Sequence, residues 1–165
     1  ALPGEKATLQ DWEDHMTTAF PEVRLKQYLE MRGADGGPWG NLCALPAFWV
    51  GLLYDDQALV EAEEYIADWS TDEMETLRNA VPKTALRTAF RDGSLQEMAA
   101  DILDIAKGGL HRRACLDQAG NDETAFLHPL TEIARTGLCP AETLLALFEG
   151  KWGEKVEPAF EALIY

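Results

Sequence analysis

Residues 23–43 read VRLKQYLEMRGADGGPWGNLC, and the first ten of them alternate with a period of two. Val23, Leu25, Leu29 and Met31 share one side, with Gln27 the exception, while Arg24, Lys26, Tyr28, Glu30 and Arg32 share the other. Successive side chains of a strand point to opposite faces, so this pattern predicts a half-buried strand over 23–32. On its polar face Glu30 and Arg32 stand at i, i+2, which sets a carboxylate a few ångströms from a guanidinium. The glycine-rich run 33–40 then predicts a loop. A strand needs partners for its backbone donors and acceptors, and no second strand of comparable quality follows. The partner is therefore expected either in a second protomer or, preferably, in sequence outside this chain.

Helical patterns dominate the remainder, so the expected class is mainly α with one or few β-strands. Thr8 followed by Asp11 predicts an N-capped helix to about residue 19, stopped by Pro21. Residues 41–54 (NLCALPAFWVGLLY) are apolar nearly all round, which predicts a helix central to the core, with Pro46 in its first turn or kinking it. Further helices are expected over 56–69, 71–80, 94–115, 123–135, 140–149 and 156–163, with residues 82–92 as an extended connector. Gly108 and Gly109 are expected to weaken the long helix. The chain of 165 residues reads as one segment with no internal repeat or linker.

Charge narrows the function. With 29 acids against 14 bases the net charge is −15. Such a field repels nucleic acid and anionic membrane, and neither is expected as a partner. Residues 55–75 hold nine acids and no Lys or Arg, read as solvated helix faces; their spacing does not form a calcium loop. Arg24, Lys26 and Arg32 are locally basic on this acidic background, which points to a specific anionic ligand. No apolar run reaches the ~20 residues of a membrane span, and the first residues lack the apolar segment of a secretory signal. Three scattered cysteines form no disulfide framework, so a cytoplasmic location is expected. His111 and Cys115 at i, i+4 lack a second ligand pair, and zinc is not expected there.

The run EVRLKQYLEMRGADGGPW, together with LRNAVPKTAL, FRDGSLQEMAADIL, RTGLCPAETLL and the closing EPAFEALIY, resembles the C-terminal third of glutamate–cysteine ligase of the class shared by plants and proteobacteria. The resemblance implies a fold similar to glutamine synthetase, an α+β architecture. Strand 23–32 would belong to its catalytic sheet and residues 41–165 to its helical part. It implies ATP-dependent joining of the glutamate γ-carboxylate to cysteine through a γ-glutamyl phosphate, with Mg²⁺, as the first step of glutathione biosynthesis. By the same resemblance Glu30 would ligate Mg²⁺ and Arg32 would hold the transferring phosphoryl group. Their residue types agree: a hard oxygen suits Mg²⁺, and a guanidinium takes phosphate through two parallel hydrogen bonds. The partner implied is the N-terminal remainder of the enzyme, without which this chain is expected to be inactive.

Other positions are more open. Trp39 can pack on a substrate such as cysteine or pin the loop to the core. Arg24, Lys26 and Tyr28 share the face of Glu30 and can line the same cavity, Lys26 toward nucleotide and Arg24 and Tyr28 toward substrate, or stay solvated. The glycines of 33–37 match no phosphate-loop pattern. Cys43 resembles the plant enzyme's redox-regulated cysteine, whose partner thiol would lie elsewhere; as a bare residue it reads as a half-buried free thiol. An unpaired strand and an apolar helix also permit a homodimer. The contrasting function is a non-catalytic helical binding or regulatory module that docks a partner on helix 42–54.

Overall fold

The computed structural model describes residues 3–164, so Ala1, Leu2 and Tyr165 lie outside the described residues. The chain forms two compact units, one reaching to Asp35 and one from Gly36 onward. The architecture is mainly helical with a few short antiparallel strands, as its patterns predict.

In the first unit, α1 spans Leu9–Met16. Thr8 caps it with a complete capping box: its hydroxyl accepts from the Asp11 N–H, and the Asp11 carboxylate accepts from the Thr8 N–H at 2.6 Å. The expected single strand over 23–32 is instead a hairpin. Strand β1, Val23–Leu25, pairs antiparallel with β2, Leu29–Met31, in the register Val23↔Met31, Arg24↔Glu30 and Leu25↔Leu29. Lys26, Gln27 and Tyr28 make the turn, where the Lys26 N–H donates to the Tyr28 carbonyl at 2.9 Å. Gln27, the one break in the alternation, lies at the tip. The ladder continues past β2 through the Arg32 N–H, which donates to the Glu22 carbonyl at 2.8 Å. Within this chain the two arms are thus each other's partner. Alternation persists through the tight turn because a three-residue loop restores the same face to both arms. None of the described residues of this unit is fully buried.

The second unit holds the core. Helix α2, Trp39–Leu53, packs chiefly against α5, Leu95–Arg113. Their contact, closed by the 3₁₀ turn Glu123–Leu127, buries Ala47, Leu52, Ala106, Leu110 and Leu127. Because α2 begins at Trp39, Pro46 falls beyond the first turn, inside the helix. The glycines of α5 do not mark a weak point. A methyl on Gly109 would run into the carbonyl oxygen of Gly51, and one on Gly51 into that of Ala106. These two glycines let the backbones meet, so closer packing outweighs the propensity cost.

Around this pair stand α3 (Asp56–Ile66), α4 (Thr71–Thr84), α6 (His128–Thr136), α7 (Pro140–Glu149) and α8 (Glu157–Ala162). Asp55, Ser70 and Ser94 cap α3, α4 and α5. The expected connector over 82–92 is corrected. Pro82 is carried inside the last turn of α4, which ends where Ala85 takes a positive φ of 47°. A 3₁₀ turn, Ala85–Arg87, then leads into a second hairpin, β3 (Ala89–Phe90) with β4 (Gly93–Ser94). Proline ends a pattern in sequence, but here its ring is accommodated in a terminal turn where the helix was about to stop.

Candidate functional site

The hairpin sets the geometry of the candidate site. Because Arg24 and Glu30 are directly opposed across β1 and β2, their side chains meet: the Arg24 Nε–H donates to Glu30 Oε2 at 2.7 Å. This cross-strand pair takes the place of an i, i+2 bridge between Glu30 and Arg32. Strand pleat places i and i+2 on one face about two residue rises apart, whereas opposed residues have Cβ atoms ~5 Å apart. The Arg24 hydrogen bond, aided by the positive charges of Arg24, Lys26 and Arg32 and opposed by partial desolvation, holds the Glu30 carboxyl below the ordinary carboxylate value. The ionised form of Glu30 is therefore favoured, and its other oxygen, Oε1, accepts no hydrogen bond among the described residues.

Arg32 is differently placed. Its guanidinium lies over the Phe20 ring, 4.9 Å from the centroid, and its Nη1 is buried without a hydrogen-bond partner. A buried N–H left unpaired is costly, and one on a permanent cation is a ready donor for an anion. Lys26 and Tyr28 sit together at the hairpin tip, with the Lys26 ammonium 5.9 Å above the Tyr28 ring. The structure thus brings Arg24 to Glu30 and Lys26 to Tyr28, and leaves one face of Arg32 unsatisfied.

On the second unit, Trp39 is the first residue of α2 and is 74% exposed, so it does not pin the preceding loop to the core. Cys43, half-buried on the same helix, is a free thiol. Among the described residues no group of three or more His, Cys, Asp or Glu side chains is arranged to hold a metal ion. His111 instead pairs with Asp122 at 2.9 Å through Nδ1. The acid-rich segment 55–75 is only partly a solvated face. Arg91 holds Asp68 at 2.9 Å and Glu73 at 2.8 Å, and Arg112 holds Asp55 at 2.7 Å. The Arg91 hydrogen bond, with those of the Ser70 cap, lowers the Glu73 carboxyl to about 2. These arginines lie 18 to 57 residues from their partners, so no local spacing announces them. For the Arg24–Glu30 pair a signal did exist, namely the interruption at Gln27.

Residues 3–162 match the family described as glutamate-cysteine ligase family 2 (GCS2). The chain is 57% identical over 164 residues to the chloroplastic glutamate–cysteine ligase of Nicotiana tabacum and, over the same length, to that of Arabidopsis thaliana. It is 53% identical over 163 residues to the chloroplastic glutamate–cysteine ligase A of Oryza sativa subsp. indica. Each alignment covers 99% of this chain and 30 to 32% of the relative, so the chain spans about a third of the length of the curated relatives it matches. Their chloroplastic names overturn the cytoplasmic location expected from the cysteines. Thiol counts separate reducing from oxidising surroundings and do not tell one reducing compartment from another.

Proposed function

The chain belongs to glutamate–cysteine ligase family 2, and from that membership we propose that it is the C-terminal part of an ATP-dependent enzyme. That enzyme joins the γ-carboxylate of glutamate to the amine of cysteine, the first step of glutathione biosynthesis. The observation that carries this reading is the family match over nearly the whole chain. The hairpin geometry supports it.

In the proposed enzyme the hairpin edges the site of phosphoryl transfer. Arg24 holds the Glu30 carboxylate in one orientation and keeps it ionised, leaving Oε1 available to a hard cation. Arg32 offers an unpaired, desolvated N–H to a phosphoryl oxygen. Mg²⁺, when bound with ATP, neutralises phosphate charge that no side chain here could neutralise alone. Glu30 would supply one oxygen ligand to Mg²⁺, and the other ligands would come from water, nucleotide and the remainder of the enzyme. Positioning and electrostatics are what such a reaction asks of protein, and a strand pair fixes them better than a loop. Lys26, beside Tyr28 at the tip, is proposed as a nucleotide contact, Tyr28 as a substrate contact, and the exposed Trp39 as a contact for the cysteine substrate. Cys43 is proposed as a redox-responsive thiol.

The test is made in the full-length protein. γ-Glutamylcysteine formation is measured for Glu30→Gln, Arg32→Ala and Arg24→Lys, each checked for an unchanged thermal midpoint. Large losses in the first two are expected. An Arg24→Lys loss should be smaller, since lysine keeps the charge and loses the planar fork. Near-normal turnover in both Glu30→Gln and Arg32→Ala rejects the proposed roles.

A further inference from the structure

Away from the hairpin of residues 23–31, the second unit holds a recess of about 420 Å³ between the end of α3, the β3–β4 hairpin and the first turns of α5. That volume lies within the range of small-molecule sites. Its wall is aromatic: Trp69 meets Phe90 at 5.0 Å between centroids and Tyr65 at 6.2 Å in an edge-on arrangement. Its rim is acidic, with Asp92, Glu97 and Asp101. Asp101 accepts the Tyr65 hydroxyl at 3.0 Å, and Glu97 accepts the Ser94 N–H at 2.8 Å. Among the described residues none of these three carboxylates is in an ion pair.

The recess also displays how it treats a cation. Arg91 lays its guanidinium over Phe90, 5.3 Å from the ring centroid. Its Nε, Nη1 and Nη2 groups donate to Asp68 and Glu73 of the neighbouring segment rather than to Asp92, Glu97 or Asp101. Its charge is therefore matched elsewhere, and the three rim carboxylates keep theirs. Aromatic faces attract cations through their quadrupole, and paired carboxylates fix the head group by charge-assisted hydrogen bonds.

We propose that this recess binds a small organic cation, an ammonium or guanidinium compound, held against the Trp69 side of the aromatic wall by the carboxylates of Asp92 and Asp101. The assignment does not depend on the ligase reading. The probe is agmatine, titrated calorimetrically into the full chain at physiological salt, with the uncharged N-(4-hydroxybutyl)urea as its isostere. One site per chain is expected, with no binding of the isostere. The double variant Asp92→Asn, Asp101→Asn should weaken agmatine about tenfold, while Glu63→Gln, Glu64→Gln, which removes the same charge from α3 outside the recess, should leave it unchanged. Trp69→Leu should weaken it as well. If Trp69→Leu loses its thermal transition, the two double variants decide. Equal weakening by both of them reduces the effect to the diffuse field of an acidic protein and overturns the proposal. Absence of heat at millimolar agmatine, or equal binding of the isostere, overturns it too.

Discussion

The unit up to Asp35 and the unit from Gly36 solve opposite problems. The first holds the proposed site residues Arg24, Glu30 and Arg32 without a core: Leu9, Trp12, Phe20 and Leu25 are 60 to 79% exposed, and its order comes from a capping box, a three-residue turn and one cross-strand ion pair. A lone hairpin of this size is marginal in water. The second unit carries the core without the phosphoryl-transfer candidates, burying Leu110 and Leu127 completely between closely packed helices. The proposed ligand-binding charges and the residues that hold the fold thus occupy different stretches of chain, and substitutions in the two should fail in different assays.

The largest expected effect is on activity. In the full-length protein, Glu30→Gln or Arg32→Ala should lower turnover by about 10²- to 10³-fold, the scale of losing one preorganised electrostatic contact, with the thermal midpoint moved far less than by a core substitution. A fall in midpoint matching the fall in turnover would erase the contrast between the units. Leu110→Ala should do the reverse, destabilising the chain in urea by about 2–5 kcal/mol through lost burial and a cavity. Gly109→Ala should cost about 1–3 kcal/mol, because its methyl meets the Gly51 carbonyl.

A smaller effect is expected from pH. Glu73 has a folded value near 2 against an ordinary value of 4.5. Between those values the unfolded chain binds the proton and the folded one does not, so stability contributed by Glu73 is complete above about 4.5 and is lost as pH falls toward 2. Arg91→Gln, which removes the first cause of the shift, should flatten that part of a urea-midpoint profile. Leu25→Ala on the exposed side of the first hairpin should shift the urea midpoint least, within about 0.5 kcal/mol. A cost like that of Leu110 would mean that the first unit has a core of its own.

Much of the helix content was legible because its signals are local. Thr8, Ser70 and Ser94 mark helix starts through contacts three residues away and Pro140 through its fixed φ, and each helix begins at or just after them. The apolar run around residue 47 declared itself as core. Other readings failed for lack of a local signal. Ten alternating residues described a strand and a folded-back pair of strands equally well, since a three-residue turn keeps the period. Pro82 looked like a boundary and proved to be a terminal-turn residue. Gly109 read as a defect because its partner, Gly51, is 58 positions away.

By itself the sequence determined family membership, the helical class, most helix origins and the set of charged residues around Glu30. Tertiary structure alone decided which of them meet: Arg24 with Glu30, Arg32 with the Phe20 ring and an empty donor, Arg91 with Asp68 and Glu73, Gly51 with Gly109. Caps and periodicity act within one turn of chain, so short windows encode them. Opposed strands and crossing helices depend on where the backbone returns, and that is settled by burial and pairing summed over the folded chain.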